Sequence, residues 1–175
     1  YSSTFNYLKL DDLSPFIRNL AFLPDPIKEK LVDLSLQGEL SEGKLIYDPD
    51  LEPSQRLRFD TRFSEMDAEF GADMPSLSNL SGHLYGFLDK GEVSLDSDDT
   101  RINSELLEKK SLQLEKLKGR VSWHKNLDEW QLDTDLLQIQ TSDLSARLRG
   151  KVEKTAGSDS PFIDMYISLD ETELS

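Results

Sequence analysis

The chain has 175 residues, no Cys, and 20 Lys and Arg against 34 Asp and Glu, a formal charge of −14. That length suits one domain, or one slice of a longer one, with a core that needs no covalent staples. The charge speaks against nucleic acid and anionic lipid surfaces as partners, and the lack of Cys removes disulfides, thiol nucleophiles and thiolate metal sites.

In chain order, residues 1–33 read as a strand followed by two short helices, and 34–175 as antiparallel β units of a single domain or of a longer repeat array. Ser14-Pro15 and Asp25-Pro26 each pair an N-cap with Pro at the first helical position, which predicts helices over Pro15–Ala21 and Pro26–Leu34. Leu34, Leu36 and Leu40 then share one strand face, and Leu57, Phe59 and Phe63 share another, with Arg56, Arg58 and Arg62 behind them. Glu69–Asn79 reads as a loop. Leu80, Gly82, Leu84, Gly86 and Leu88 lead into a turn at Asp89-Lys90-Gly91, from which Val93 and Leu95 return, with the turn length left open. A short helical turn near Ser104–Glu108 precedes a strand through Leu112, Leu114 and Gly119. Further stripes are Leu137, Ile139 and Thr141, then Ala146, Leu148, Gly150 and Val152, a loop over Thr155–Pro161, and finally Ile163, Met165, Ile167 and Leu169.

A unit Leu-x-Gly-x-(Leu/Val) occurs four times, around Gly38, Gly82, Gly119 and Gly150. It places apolar, Gly and apolar residues on one strand face, so each Gly opens a gap for a close approach or a bend. A four-residue turn at Lys125–Asp128 would set Trp123 opposite Trp130, Val121 opposite Leu132, Gly119 opposite Thr134 and Leu117 opposite Leu136. The other face would then pair Arg120 with Asp133 and Lys118 with Asp135. The expected fold is mainly β, a curved antiparallel meandering sheet, groove-like and possibly half-open, with two short N-terminal helices.

Chemistry is sparse. Gly38–Lys44 has the spacing of a phosphate loop, but Leu45 replaces the Mg²⁺-binding hydroxyl, so a plain turn and no nucleotide are expected. Asp96–Thr100 begins like a calcium loop, yet Arg101 and Leu107 occupy its Gly and Glu positions, leaving a solvated acidic turn. His83 and His124 lie on separate units, each on a polar face, with no partner at helical spacing, so no metal is expected. No nucleophile elbow is present, and no catalytic residue or cofactor is expected. The stripe Arg147, Arg149 and Lys151 is expected to offset carboxylates across the sheet.

Leu77–Leu84, Gly91–Ser97, Gly119-Arg120-Val121-Ser122-Trp123, Ser160–Asp164 and the Asp12-Leu13-Ser14-Pro15 entry together resemble the YhdP branch of the AsmA-like family, over about Leu8 to Leu169. The resemblance implies a long curved sheet rolled into a groove, of the bridge-like lipid-transfer architecture, in a protein of a diderm bacterium. It also implies an inner-membrane anchor outside this segment, a periplasmic location, and transfer of phospholipid between inner and outer membranes in support of the outer-membrane barrier. No run in the sequence reaches the ~18–20 apolar residues of a membrane span and no cleavable leader is visible, and a start at Tyr1 reads as an internal slice. Acyl chains would then lie on Leu36, Leu40, Leu84, Val121, Trp123, Trp130, Leu132, Leu148 and Val152. The same alternation suits an ordinary closed core, and the rival function is a structural or adhesive β-module that binds other envelope proteins.

Overall fold

The computed structural model describes residues 1–10, 35–69, 76–104, 111–126, 129–158 and 160–170. Nine strands form it: β1 (Ser2–Lys9), β2 (Ser35–Tyr47), β3 (Leu57–Glu69), β4 (Ser76–Phe87), β5 (Lys90–Asn103), β6 (Ser111–Asn126), β7 (Glu129–Gln140), β8 (Ser145–Lys154) and β9 (Phe162–Asp170). They make one antiparallel sheet in the order β1 to β9, open at both ends. The two N-terminal helices and most of the turn at Ser104–Glu108 fall outside the described residues, and no helix occurs among those described.

Direct partners across an antiparallel pair project to the same side. One rung therefore runs through Leu8, Leu40, Phe63, Gly82, Leu95, Gly119, Leu137, Leu148 and Ile167 on a single face. A polar rung on the opposite face runs through Thr4, Lys44, Asp60, Tyr85, Glu92, Ser122, Asp133, Lys151 and Asp164. Period-two alternation within each strand thus becomes two-faced character across the sheet. The deepest packing lies at Phe63, Leu80, Leu114 and Leu117, with Leu40, Met66, Val93, Leu95 and Leu137 against them.

The register is interrupted in five of the ladders. Among the described residues the non-glycine positions with positive φ all sit at such interruptions: Glu42 (50°), Glu65 (50°), Asn79 (61°) and Asp99 (56°). These are β-bulges, which bend a strand and raise its twist. They also release backbone groups from the ladder, and hydroxyls on the apolar face take them up. Thr61 Oγ1 donates to the Ser41 carbonyl at 3.1 Å, Thr134 Oγ1 to that of Arg120 at 2.7 Å, and Ser97 Oγ to that of Ser81 at 3.0 Å. Ser97 Oγ also accepts from the Ser81 N–H at 2.8 Å. This accounts for the burial of Ser97, 1% exposed, among apolar side chains. Ser97→Ala leaves both backbone groups of Ser81 without that partner and is expected to cost about 2 kcal/mol. Measured beside it by urea unfolding, Ser142→Ala, on an exposed turn, should stay within about 0.5 kcal/mol, and equal effects would refute the account.

Several local expectations change. Gly38–Lys44 is no turn but the interior of β2, bulged at Glu42. Asp96–Thr100 likewise lies inside β5: the three Asp face solvent while Ser97 and Thr100 point inward. Ser76–Asn79 belongs to β4 rather than to a loop. The β4–β5 turn is the pair Leu88-Asp89, because Gly86 pairs with Gly91 and the strand resumes at Lys90. Ser54 Oγ and Gln55 Nε2 donate to the Asp89 carboxylate at 3.0 and 3.1 Å, which ties the β2–β3 loop to that turn.

Candidate functional site

The β6–β7 hairpin decides how the expected lipid-facing residues meet. Its last pair is Asn126 with Glu129, so the connection has two residues instead of four, the length that matches strand twist best. The register consequently moves by two. Trp123 meets Leu132, and Trp130 meets Lys125 on one side and Lys154 on the other, so the two indoles are not opposed. A shift of two preserves the faces, which is why the sorting into apolar and polar sides survives the change of partners. Farther along, a bulge in β7 re-phases the strand: Leu117 pairs with Ile139 and Gly119 with Leu137, while Leu136 is left exposed.

The charge pairs move as well. Arg120 reaches Glu92 at 3.1 Å, Lys118 reaches Asp96 at 3.4 Å and Lys116 reaches Asp98 at 3.7 Å. Their partners are on β5, not on β7, because β5 and β6 keep one uninterrupted register whereas the β7 bulge displaces Asp133 and Asp135. On β8, Lys151 contacts Glu153 at 3.1 Å, and the Arg149 guanidinium lies 4.6 Å from the Tyr166 ring centre.

A second apolar rung passes through Leu45, Phe59, Gly86, Gly91, Trp123, Leu132, Val152 and Ile163. Here the glycines have a visible purpose. A Cβ on Gly91 would strike the Trp123 ring, so the indole lies across the gap and reaches Phe59, two strands beyond Gly91. The two rings stack with centroids 6.1 Å apart and planes 11° from parallel. Phe59 is a site residue that sequence reading did not single out, although its alternation with Arg58 and Asp60 carries the signal.

The four repeat glycines behave differently. At Gly38, Gly82, Gly119 and Gly150 a Cβ would run into the backbone of the following strand, at the carbonyls of Glu65, Ser94, Leu136 and Asp164. The close approach expected at these positions is made by the backbone of the next strand, which leaves no room there for a ligand. Three of them, Gly38, Gly119 and Gly150, also have φ between 122° and 155°, where side chains are strained.

Of the expected contact residues, Leu40, Leu84, Val121, Trp123, Leu148 and Val152 are half-buried on the apolar face, as is Trp130. Leu132 is 41% exposed on the same face. Leu36 pairs with Ala68 in the β2–β3 register. Exposure rises toward β9, where Ile163 and Leu169 stand 60% and 61% open. Among the described residues the strands form this one sheet, with no second sheet laid over it.

The polar face holds a concavity of about 770 Å³ lined by Arg62, His83, Ser94, Lys118, Arg120 and Asp135, among others. Its Arg and Lys side chains already face carboxylates, Arg62 pairing with Glu42 at 2.7 Å beside the Lys118 and Arg120 pairs above, and His83 Nε2 shares a 2.7 Å hydrogen bond with Asp60. It therefore has no surplus positive charge with which to capture a phosphate. Among the described residues no cluster of His, Asp and Glu is arranged to hold a metal ion, and no helix is long and apolar enough to cross a membrane.

An open antiparallel meander with one apolar and one polar face, carried without interruption over nine strands, defines the class of this protein. Residues 2–175 match the family model described as YhdP protein, and the chain belongs to the YhdP family. No match is found among curated proteins or among solved structures.

Proposed function

We propose that this chain is a non-enzymatic segment of a lipid-transfer protein of the bacterial envelope, located in the periplasm, whose apolar face shields phospholipid acyl chains between the two membranes. Membership of the YhdP family supports this reading. The observation that carries it is the pair of apolar rungs that cross the sheet and become more exposed toward β9. Each CH₂ exposed to water costs about 0.8 kcal/mol, so a 16-carbon chain costs on the order of 12 kcal/mol in transit. A continuous apolar track offsets much of that cost at every step, and the polar face keeps the sheet compatible with water. A covalent step has no place in this role.

The test is photo-crosslinking in the full-length protein, with a photoreactive residue placed in turn at Arg120, Val121, Ser122, Trp123 and His124. Strand alternation puts 121 and 123 on the apolar face, with 120, 122 and 124 opposite. Phospholipid adducts should be strong at 121 and 123 and weak at the other three. Their absence at every position in folded, functional protein would remove the proposal and favour a face covered by another protein, as in an adhesive or structural module.

A further inference from the structure

The apolar face carries its own charge pattern. From β6 to β9, the residues that register places on this face outside the β7 bulge are uncharged, with two exceptions, Lys125 and Lys154. These two fall on the same rung, each a direct partner of Trp130. Neither makes an ion pair among the described residues, whereas Lys116, Lys118, Arg120 and Lys151 on the polar face all do. The Lys–Trp–Lys rung lies at the end of the sheet where β6 turns into β7 and β8 leaves for β9. Adjacent to it, toward the sheet interior, is the rung of Trp123, Leu132 and Val152.

We infer that this rung is a headgroup station: the phosphate of an anionic phospholipid sits between Lys125 and Lys154, Trp130 lies at the level of the glycerol, and an acyl chain runs along the strands over Trp123 and Val121 toward Leu117. The inference rests on the acyl-shielding reading above and adds the headgroup class and the orientation of the lipid. Charge complementarity argues for it. In a chain of net charge −14, an anionic headgroup is repelled over most of the surface, whereas two lysines with no ion pair among the described residues stand on one rung here, and Asp89, the neighbour of Lys125 on the β5 side, has its carboxylate turned to Ser54 and Gln55. Strands are about 4.8 Å apart, so the backbones of Lys125 and Lys154 stand roughly 10 Å from one another, a span that two flexible ammonium arms can close around one phosphate. Trp between them has the amphipathic ring that favours the boundary between hydrocarbon and headgroup. Lengths agree too. One leaflet of a ~30 Å hydrocarbon core is about 15 Å deep, or about five residues of strand, which covers the run from Trp123 to Gly119, next to the buried Leu117 rung.

The purified full-length protein, with a photoreactive residue at Leu132, is mixed with vesicles of phosphatidylglycerol and phosphatidylcholine in equal amounts, illuminated, and its adducts sorted by headgroup. Phosphatidylglycerol should exceed phosphatidylcholine by roughly tenfold, and K125Q/K154Q should bring the ratio close to one, with K118Q on the polar face leaving it unchanged. Adducts of equal composition in all three proteins would overturn the headgroup station while leaving acyl shielding intact. An excess that persists in K125Q/K154Q would overturn it equally. No adduct at 132, together with none at 121 and 123, would overturn the shielding reading and this inference with it.

Discussion

Gly119→Ala is expected to lower the unfolding free energy by about 3 kcal/mol, a large loss for one methyl group. Two independent costs add. The new Cβ would collide with the Leu136 carbonyl and with Leu137 Cα, both backbone atoms of β7 that cannot rotate away. The residue would also have to hold φ near 155°, outside the range that side chains tolerate. Gly157 supplies the control. It too has positive φ, 78°, but a Cβ there meets nothing within 4 Å. Gly157→Asn should therefore cost no more than about 0.5 kcal/mol, since Asn accepts left-handed backbone. Urea unfolding followed by fluorescence of the two Trp residues separates the cases. Similar losses in both variants would mean that the strand contact at Gly119 contributes nothing of its own.

Leu132→Asp should have the largest functional effect at little structural cost. Leu132 is 41% exposed, so a carboxylate there keeps access to water in the free protein. It nevertheless lies between Trp123 and Val152 on the proposed track, and an acyl chain passing over it must strip that water away. A charge in hydrocarbon costs about 2.5–3.5 kcal/mol, which corresponds to about a hundredfold less lipid at that rung. Gln131→Asp introduces the same charge on the opposite face and should leave lipid contact unchanged. Adduct yield from a photoreactive residue at position 123, read beside outer-membrane barrier function, distinguishes the two. If Leu132→Asp kept full adduct yield, acyl chains would not pass this rung.

The two predictions depend on different layers of information. That Leu132 and Trp123 share a face follows from alternation within each strand, a property of the sequence. So does the sorting of Arg58, Asp60, His83, Ser122 and Asp133 to the other side. Which backbone atoms crowd Gly119 does not follow, because the obstacle comes from a bulge in β7. The stripes themselves hint at that bulge, since Trp130, Leu132 and Thr134 lie on even positions and Leu137 and Ile139 on odd ones. One extra residue must fall between them. The acidic stretch Asp96–Thr100 carries no such local hint. Its Asp residues have a turn-like composition, and only the fixed β5–β6 ladder, with Lys116 and Lys118 on the next strand, holds it extended.

By itself, then, the sequence determined the β class, the antiparallel meander, the composition of each face and membership of the YhdP family, because period two and local turn chemistry are written in neighbouring residues. Tertiary structure alone decided the two-residue shift in the β6–β7 register, the strand to which Lys116, Lys118 and Arg120 turn, the stacking of Trp123 on Phe59 across two glycines, and the placing of Lys125 and Lys154 on either side of Trp130. A slip of two residues leaves every face unchanged, so alternation is blind to it. What selects the register is the summed fit of turn, bulge and cross-strand contact, and those are set between residues far apart in the chain.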